Sequence, residues 1–214
     1  MKKKKIKICS YYTPNYIPFL KTFIQTYNGQ GDLWLQPTES MTRETATFSK
    51  PWQFKKCINQ DVYDYYIFSD IDLLFHPNFC FTELCKPDSI GIIIREQFNY
   101  PQRNVNASII TVPHSLYKSF IEDWTKLVEE IEIDGISIFD EAPTKINNHY
   151  YWDQVSLNHV YKKYKFHNID QNIYLSKKLK KDTKILSPHA FDLKRKEEVY
   201  NKMMSEISEH WKKN

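Results

Sequence analysis

The sequence contains very little glycine, with only four residues of this type among 214. Glycine averages about 7% of residues in proteins, so roughly fifteen would be usual for this length. The four glycines never form the GxGxxG or GxxxxGK[ST] patterns, in which backbone amides must approach a phosphate closely. The sequence therefore excludes a dinucleotide-binding fingerprint and a Walker loop, and any phosphate group must be held by other means.

Long apolar runs and paired cysteines are also missing. No run approaches the roughly eighteen consecutive apolar residues of a transmembrane helix. No apolar segment follows the lysine run 2–5, as a signal peptide would require. The cysteines form no CxxC pair, and the Cx4C spacing of Cys80 and Cys85 has no second pair beside it. These absences predict reduced thiols and a cytoplasmic protein without a transmembrane segment.

The charged residues are distributed unevenly along the chain. The whole sequence carries 30 Lys+Arg and 26 Asp+Glu. Both ends, 1–10 and 177–214, are net basic, whereas the body between them is net acidic. A nucleic-acid-binding protein more often concentrates basic residues on its core fold, so nucleic acid is not an expected partner. The basic ends indicate either solvated tails or peripheral contact with an anionic membrane surface.

Strand-like apolar segments alternate with helical patterns along the chain. Strands are expected at 6–12, 32–36, 65–69, 89–95 and 107–112. Helices are expected at 14–28 with Thr13 as the N-cap, at 43–58 with an interruption at Pro51, at 114–132 and at 150–164. Such alternation predicts an α/β fold with a mostly parallel central sheet flanked by helices. No repeat or linker divides the sequence, so residues 1–214 are expected to form one domain. A basic helix at about 193–213 should pack on it through one apolar stripe, formed by Val199, Met203, Ile207 and Trp211.

Two carboxylates interrupt an otherwise apolar stretch at 65–75. Asp70 and Asp72 follow the expected strand, and extended residues at i and i+2 point to the same face. Both side chains can therefore converge on one cation, and carboxylate oxygens suit Mg²⁺ or Mn²⁺. Ligands of α/β sheets lie beyond the carboxyl ends of strands, where this pair falls. In the alternative interpretation, Asp72 caps the following turn and Asp70 pairs with a lysine.

Four motifs in order resemble those of the GT-A fold glycosyltransferases, particularly the retaining, DxD-bearing enzymes that use nucleotide-diphosphate sugars. The motifs are Phe68-Ser69-Asp70-Ile71-Asp72, Val105-Asn106-Ala107-Ser108, Trp152-Asp153-Gln154-Val155-Ser156-Leu157-Asn158 and Ser187-Pro188-His189. The second motif departs from the family pattern because Ser108 stands where glycine is usual. The fourth lacks the Lys-Pro-Trp that usually follows the histidine.

The resemblance implies a single-domain GT-A-like sandwich that moves a sugar from a nucleotide-diphosphate donor, most simply a UDP-sugar, to a glycan hydroxyl with retention. It implies Mn²⁺ or Mg²⁺ bound by Asp70, Asp72 and His189, with Asp70 also contacting the donor. A divalent ion there would stabilise the charge of the leaving diphosphate. The implied acceptor is a glycan or glycoprotein, such as a cell-surface or viral-surface glycan.

The resemblance also assigns roles to residues outside the DxD. Asn106 and Ser108 are expected to line the donor sugar, and the strand end at Tyr11, Tyr12 and Thr13 to bind the nucleoside, with a tyrosine stacked on the base. Apart from the resemblance, the positive charge of Lys50, Lys55 or Arg95 could supply a second positive group. The position and polarity of segments 96–106 and 134–148 suggest the acceptor side.

Asp153 and Gln154 are the expected catalytic residues. If Asp153 is a base for the acceptor hydroxyl, the reaction inverts the anomeric centre. If either residue supports a front-face or covalent path, the reaction retains it, and the resemblance favours this outcome.

Two other functions compete with this hypothesis. One is a nucleotide-sugar-binding module with weak or no catalysis, against which the full set of polar motif residues weighs. The other is a haloacid-dehalogenase-type phosphatase, whose first aspartate is a nucleophile. That motif normally opens the first strand and has Thr or Val where this sequence has Leu74, and no later Gly-Asp-x-x-x-Asp follows.

Overall fold

The computed structural model describes residues 4–27, 29–57, 62–95, 100–146, 148–174, 182–187 and 193–210, with backbone alone for 193 and 206–210. Its β-strands are β1 (Ile6–Tyr12), β2 (Asp32–Pro37), β3 (Tyr65–Ser69), β4 (Leu74–Phe75), β5 (Ile90–Ile94), β6 (Val105–Pro113), β7 (Phe166–Asn168) and β8 (Ile185–Leu186). Its α-helices are α1 (Ile17–Tyr27), α2 (Arg43–Lys55), α3 (His114–Asp134), α4 (Trp152–Val160), α5 (Gln171–Tyr174) and α6 (Leu193–His210).

A six-stranded sheet with the order β2-β1-β3-β6-β5-β7 forms the centre of the protein. The pairs β1–β2, β1–β3 and β5–β7 are parallel, and β6 runs antiparallel to both of its neighbours. The carboxyl ends of β1 and β3 therefore lie at the same edge of the sheet. The mixed α/β class with a mostly parallel sheet, expected from the sequence, is confirmed.

Strand β3 shows why helices cover both faces of the sheet. All five of its residues are buried, so neither face is solvated. Tyr66 and Phe68 belong to a hydrophobic cluster with Trp124 of α3, whereas Tyr65 and Ile67 belong to a second cluster beneath α1. Since successive side chains of a strand point to opposite faces, the two clusters are the two layers of a sandwich.

Three local features differ from the sequence expectations. Residues Pro14–Tyr16 form a 3₁₀ turn before α1, and the Thr13 side chain makes no capping hydrogen bond. Pro51 lies inside α2 without ending it. Helix α4 begins later than expected because Tyr151 adopts a left-handed conformation, with φ of 52°, which cannot continue a helix.

The C-terminal helix α6 packs on the body of the protein. The rings of Tyr200 and Phe19 pack edge to face, with their centres 4.9 Å apart. Both residues belong to a third hydrophobic cluster with Leu74 and Leu186. Met203 packs against this cluster. Trp211, the last residue of the expected stripe, lies outside the described residues. None of the helices in the described ranges is long and apolar enough to cross a membrane.

Candidate active site

Three separate segments meet at the carboxyl end of β3. Asp70 follows β3 directly, and its backbone N–H donates to the Ser108 carbonyl at 2.8 Å, which extends the pairing with β6. Helix α2 brings Lys50 to this point, and the first turn of α4 brings Asp153. The sheet edge therefore collects residues from distant parts of the sequence.

Lys50 is the centre of this arrangement. Its Nζ lies 2.9 Å from Oδ1 of Asp70 and 2.7 Å from Oδ2 of Asp153. It also donates to the Ala107 carbonyl at 3.2 Å. The side chains of Lys50 and Asp153 are 4% and 5% exposed, whereas that of Asp70 is 30% exposed. One buried ammonium thus holds two carboxylates, and only Asp70 faces solvent.

The electrostatics of this cluster keep Lys50 charged. Burial alone lowers a lysine pKa, but the attraction of Asp153 and Asp70 outweighs it, so the pKa of Lys50 lies well above its ordinary value. Burial raises the pKa of Asp70, and the Lys50 charge opposes that increase. The site therefore contains a permanent cation between the first aspartate of the DxD and the expected catalytic aspartate.

The second aspartate of the DxD has a different partner. The buried Asp72 forms an ion pair through Oδ2 with Nζ of Lys196, on helix α6. The same ammonium lies 5.0 Å from the centre of the Tyr16 ring and donates to the Tyr16 hydroxyl at 3.4 Å. Although burial lowers the pKa of Lys196, the Asp72 charge raises it above its ordinary value. Packing of α6 on the body of the protein therefore places the Lys196 ammonium beside the DxD.

Gln154 belongs to a neighbouring arginine cluster. Its Oε1 accepts hydrogen bonds from Nη2 of Arg95 at 2.8 Å and from Nη2 of Arg103 at 3.2 Å. The Arg103 guanidinium also lies 3.9 Å from the centre of the Tyr151 ring. Burial, reinforced by the Arg103 charge, lowers the pKa of Arg95 to about 10. The sequence suggested Arg95 as a second positive group. In the structure its guanidinium contacts the side chain of Gln154, which follows Asp153 in the chain.

The start of β6, which was expected to line the donor sugar, lies against Asp70. The Asn106 Oδ1 accepts a hydrogen bond from the Ser108 backbone N–H at 2.7 Å. The Ser108 carbonyl in turn accepts from Asp70. Asn106 therefore shapes the backbone that borders the first aspartate of the DxD.

The expected nucleoside residues divide into two groups. The Tyr11 hydroxyl donates to the Ala46 carbonyl of α2 at 2.8 Å, and burial raises its pKa while Lys50 opposes the increase. Tyr11 thus lies beside the Lys50 cluster. Tyr12 packs in the cluster beneath α1, and Thr13 accepts through its carbonyl from Tyr16. The contacts of the described residues do not join Tyr12 or Thr13 to Lys50.

The chemistry of the DxD suits a divalent cation. The lysine contacts use Oδ1 of Asp70 and Oδ2 of Asp72, so among the described residues no ion pair involves the other oxygen of either carboxylate. Asp72 is close enough to raise the pKa of Asp70. Two carboxylate oxygens completed by diphosphate oxygens suit Mg²⁺ or Mn²⁺. His189, the expected third ligand, lies outside the described residues. In the described ranges no three His, Cys, Asp or Glu side chains are grouped to hold a metal by themselves.

Lys196 and Arg103 were missed at the sequence level, and Lys55 has no part in the observed cluster. Lys196 precedes Tyr200 by one helical turn, so both lie on the docked side of α6, but the sequence alone does not show which surface α6 covers. Arg103 follows Pro101 in a polar loop and resembles a surface residue until its burial is known.

Comparisons with known proteins support the fold. No protein-family model matches the sequence, and no curated protein matches it. A solved structure described as a glycosyltransferase involved in the glycosylation of the major capsid of PBCV-1 superposes with a TM-score of 0.67. The two chains are 12% identical, and the match covers 92% of this chain and 99% of that one. The chain therefore has the fold of a known glycosyltransferase.

Proposed function

We propose that this protein is a metal-dependent glycosyltransferase that moves a sugar from a nucleotide-diphosphate donor, a UDP-sugar, to a glycan hydroxyl with retention. The observation that carries the proposal is the buried ammonium of Lys50, which joins Asp70 of the DxD to Asp153. A fold shared with a glycosyltransferase supports the class of reaction. The protein would act in the cytoplasm, with its basic ends available for peripheral membrane contact.

Asp70 and Asp72 would hold Mn²⁺ or Mg²⁺, with His189 as the proposed third protein ligand. When bound, the ion supplies positive charge that stabilises the leaving diphosphate. Lys50 adds a second, permanent positive charge beside Asp70. Because it is buried and already positioned by two carboxylates, it needs no reorganisation as charge develops on the leaving group.

Asp153 is held in place through both carboxylate oxygens. Oδ2 contacts Lys50 at 2.7 Å, and Oδ1 accepts the Gln154 backbone N–H at 2.8 Å. These two contacts fix the orientation of the Asp153 carboxylate, which is 5% exposed. A fixed negative charge at this point would stabilise positive charge that develops at the anomeric carbon, and we propose this role, with retention, for Asp153.

The two segments expected on the acceptor side contact each other. The Gln102 side-chain amide donates to Glu141 at 3.2 Å, and the Thr144 hydroxyl lies 3.5 Å from Oε1 of Gln102. These polar groups lie on the loops beside the Gln154 cluster, to which Arg103 belongs. Hydroxyl-rich glycans present many donors and acceptors, so we propose that a cell-surface or viral-surface glycan or glycoprotein binds here.

A nucleotide-sugar-binding module without turnover is the second candidate function. The specific observation that favours it is the engagement of both DxD carboxylates by lysines, Asp70 by Lys50 and Asp72 by Lys196. In that case the two lysines would take the place of a metal on the DxD carboxylates.

Calorimetric titration with UDP, with and without Mn²⁺, tests the proposed function. We expect Mn²⁺ to tighten UDP binding by about tenfold or more, which corresponds to about 1.4 kcal/mol or more. Asp72→Asn should remove this dependence, because one ligand carboxylate is lost. Asp88→Asn, a change in an exposed ion pair with Lys165, is the matched control and should behave as wild type. Equal affinities with and without metal in the wild type would contradict metal dependence.

Lys196 provides a second prediction for the same site. Lys196→Met removes the ammonium from Asp72, so Mn²⁺ should bind the nucleotide-free protein about tenfold more tightly, because a neighbouring positive charge no longer repels the ion. The control is Lys194→Met, which changes an exposed lysine of the same helix. Electron paramagnetic resonance of free Mn²⁺ measures both affinities. Unchanged or weaker binding in Lys196→Met would show that the ion does not use Asp72.

A further inference from the structure

Two buried cysteines meet where the end of α2 packs on β1. Cys9 and Cys57 are 0% and 1% exposed, and their Sγ atoms lie 2.7 Å apart. They are separated by 48 residues in the sequence, so their spacing carries no recognisable motif. The other two cysteines differ, since Cys80 is exposed and the thiol of Cys85 donates to the Phe81 carbonyl at 3.3 Å.

The sulfur atoms are already closer than two unbonded thiols usually rest, and a disulfide requires about 2.05 Å. A small approach of the end of α2 toward β1 would therefore bring the two sulfur atoms to bonding distance when they are oxidised. Lys7 holds this region in place by donating to the Cys57 carbonyl at 2.9 Å. Burial and the adjacent Cys57 raise the pKa of the Cys9 thiol well above its ordinary value, so the folded protein offers little thiolate for reaction with an external oxidant.

We propose that Cys9 and Cys57 are an oxidative modification site: both are free thiols in a reducing cytoplasm, and a disulfide that fastens α2 to β1 forms when the chain folds under oxidising conditions. A small-molecule disulfide such as oxidised glutathione is the oxidant. One cysteine thiolate attacks it and releases one small thiol, and the second cysteine then attacks the mixed disulfide and releases another. The two cysteines lose two electrons and two protons, and the small disulfide is reduced to two thiols.

The consequence of this bond follows from what the two elements carry. Helix α2 contains Lys50, and β1 contains Tyr11, whose hydroxyl already contacts α2 at Ala46. The disulfide would fix the helix that supplies the buried cation of the site relative to the central strand. It would also close the loop from Cys9 to Cys57 in the unfolded chain. This lowers the conformational entropy of the unfolded state and so stabilises the folded state. The inference is independent of the proposed reaction.

The test uses the full chain, refolded from denaturant in buffers of oxidised and reduced glutathione. After acid quenching, free thiols are alkylated in denaturant, and peptides are identified by mass spectrometry. We expect a peptide that links Cys9 to Cys57 and lacks the mass of two hydrogens, with Cys80 and Cys85 alkylated. The oxidised protein should melt about 5 to 15 °C above the reduced one.

Two variants separate this pair from the other thiols. Cys80→Ser, the matched control, should keep the linked peptide and the increase in melting temperature. Cys57→Ser should lose both. Four alkylated cysteines in the most oxidising buffer, a link between other cysteines, or an oxidised form that melts no higher than the reduced form would each overturn the proposal.

Discussion

Replacing Lys50 with methionine is expected to lower the free energy of unfolding by about 3 to 5 kcal/mol, the usual cost of removing one partner from a buried ion pair. The lysine is 4% exposed and forms ion pairs with both Asp70 and Asp153. Without it, two carboxylates remain together with no cation between them, and at least one must take up a proton. Urea denaturation followed by tryptophan fluorescence measures the change.

Two further variants show whether charge causes this loss. Lys55→Met changes an exposed lysine of the same helix and should alter stability by less than about 0.5 kcal/mol. The double variant Lys50→Met/Asp153→Asn removes one of the two unpaired carboxylates and should recover part of the loss. A decrease in the free energy of unfolding below about 1 kcal/mol for Lys50→Met would mean that the ion pairs of Lys50 with Asp70 and Asp153 do not stabilise the fold.

Replacing Asp153 with asparagine is expected to lower turnover of the donor about 10³-fold while the protein stays folded. Asparagine keeps the shape but not the charge that would stabilise the anomeric carbon. Lys50 would still be paired with Asp70 at 2.9 Å, so the variant leaves no buried ammonium without a partner. Release of the nucleoside diphosphate measures turnover, and calorimetry with UDP should show affinity within about threefold of the wild type.

The control for this experiment is Asp88→Asn, which makes the same chemical change in an exposed ion pair. It should leave turnover and UDP affinity as in the wild type. Turnover of Asp153→Asn within about tenfold of the wild type would contradict a direct role for Asp153 in the reaction.

Local patterns in the sequence were sufficient to predict most of the sheet and the position of the DxD. β3 was expected at 65–69 and is observed at Tyr65–Ser69, because five apolar or small residues in a row suit a strand that is buried on both faces. The small sheet of β4 and β8 was not expected, because each strand has two residues and lacks any periodicity. The start of α4 was also misplaced, since a left-handed backbone at Tyr151 has no reliable sequence signal.

The pairing of residues within the site could not be predicted from the sequence for a different reason. Lys50 and Arg95 were recognised as possible cations, but their partners, Asp153 and Gln154, lie far along the chain and meet them only through tertiary packing. The sequence left open whether Asp70 pairs with a lysine or binds metal. The structure shows that Asp70 pairs with Lys50 through Oδ1. Metal binding through its second oxygen is a proposal. Lys196 reaches Asp72 only because α6 docks through Tyr200.

The most direct test of the account is incubation of the wild-type protein with a panel of nucleotide-diphosphate sugars in the presence of Mn²⁺, with release of the nucleoside diphosphate as the signal. The account predicts that at least one UDP-sugar is consumed. It also predicts that EDTA suppresses the reaction and that Asp153→Asn lowers it about 10³-fold. Binding of UDP without consumption of any donor in the panel would contradict the central claim that Lys50, Asp70 and Asp153 form the active site of a glycosyltransferase.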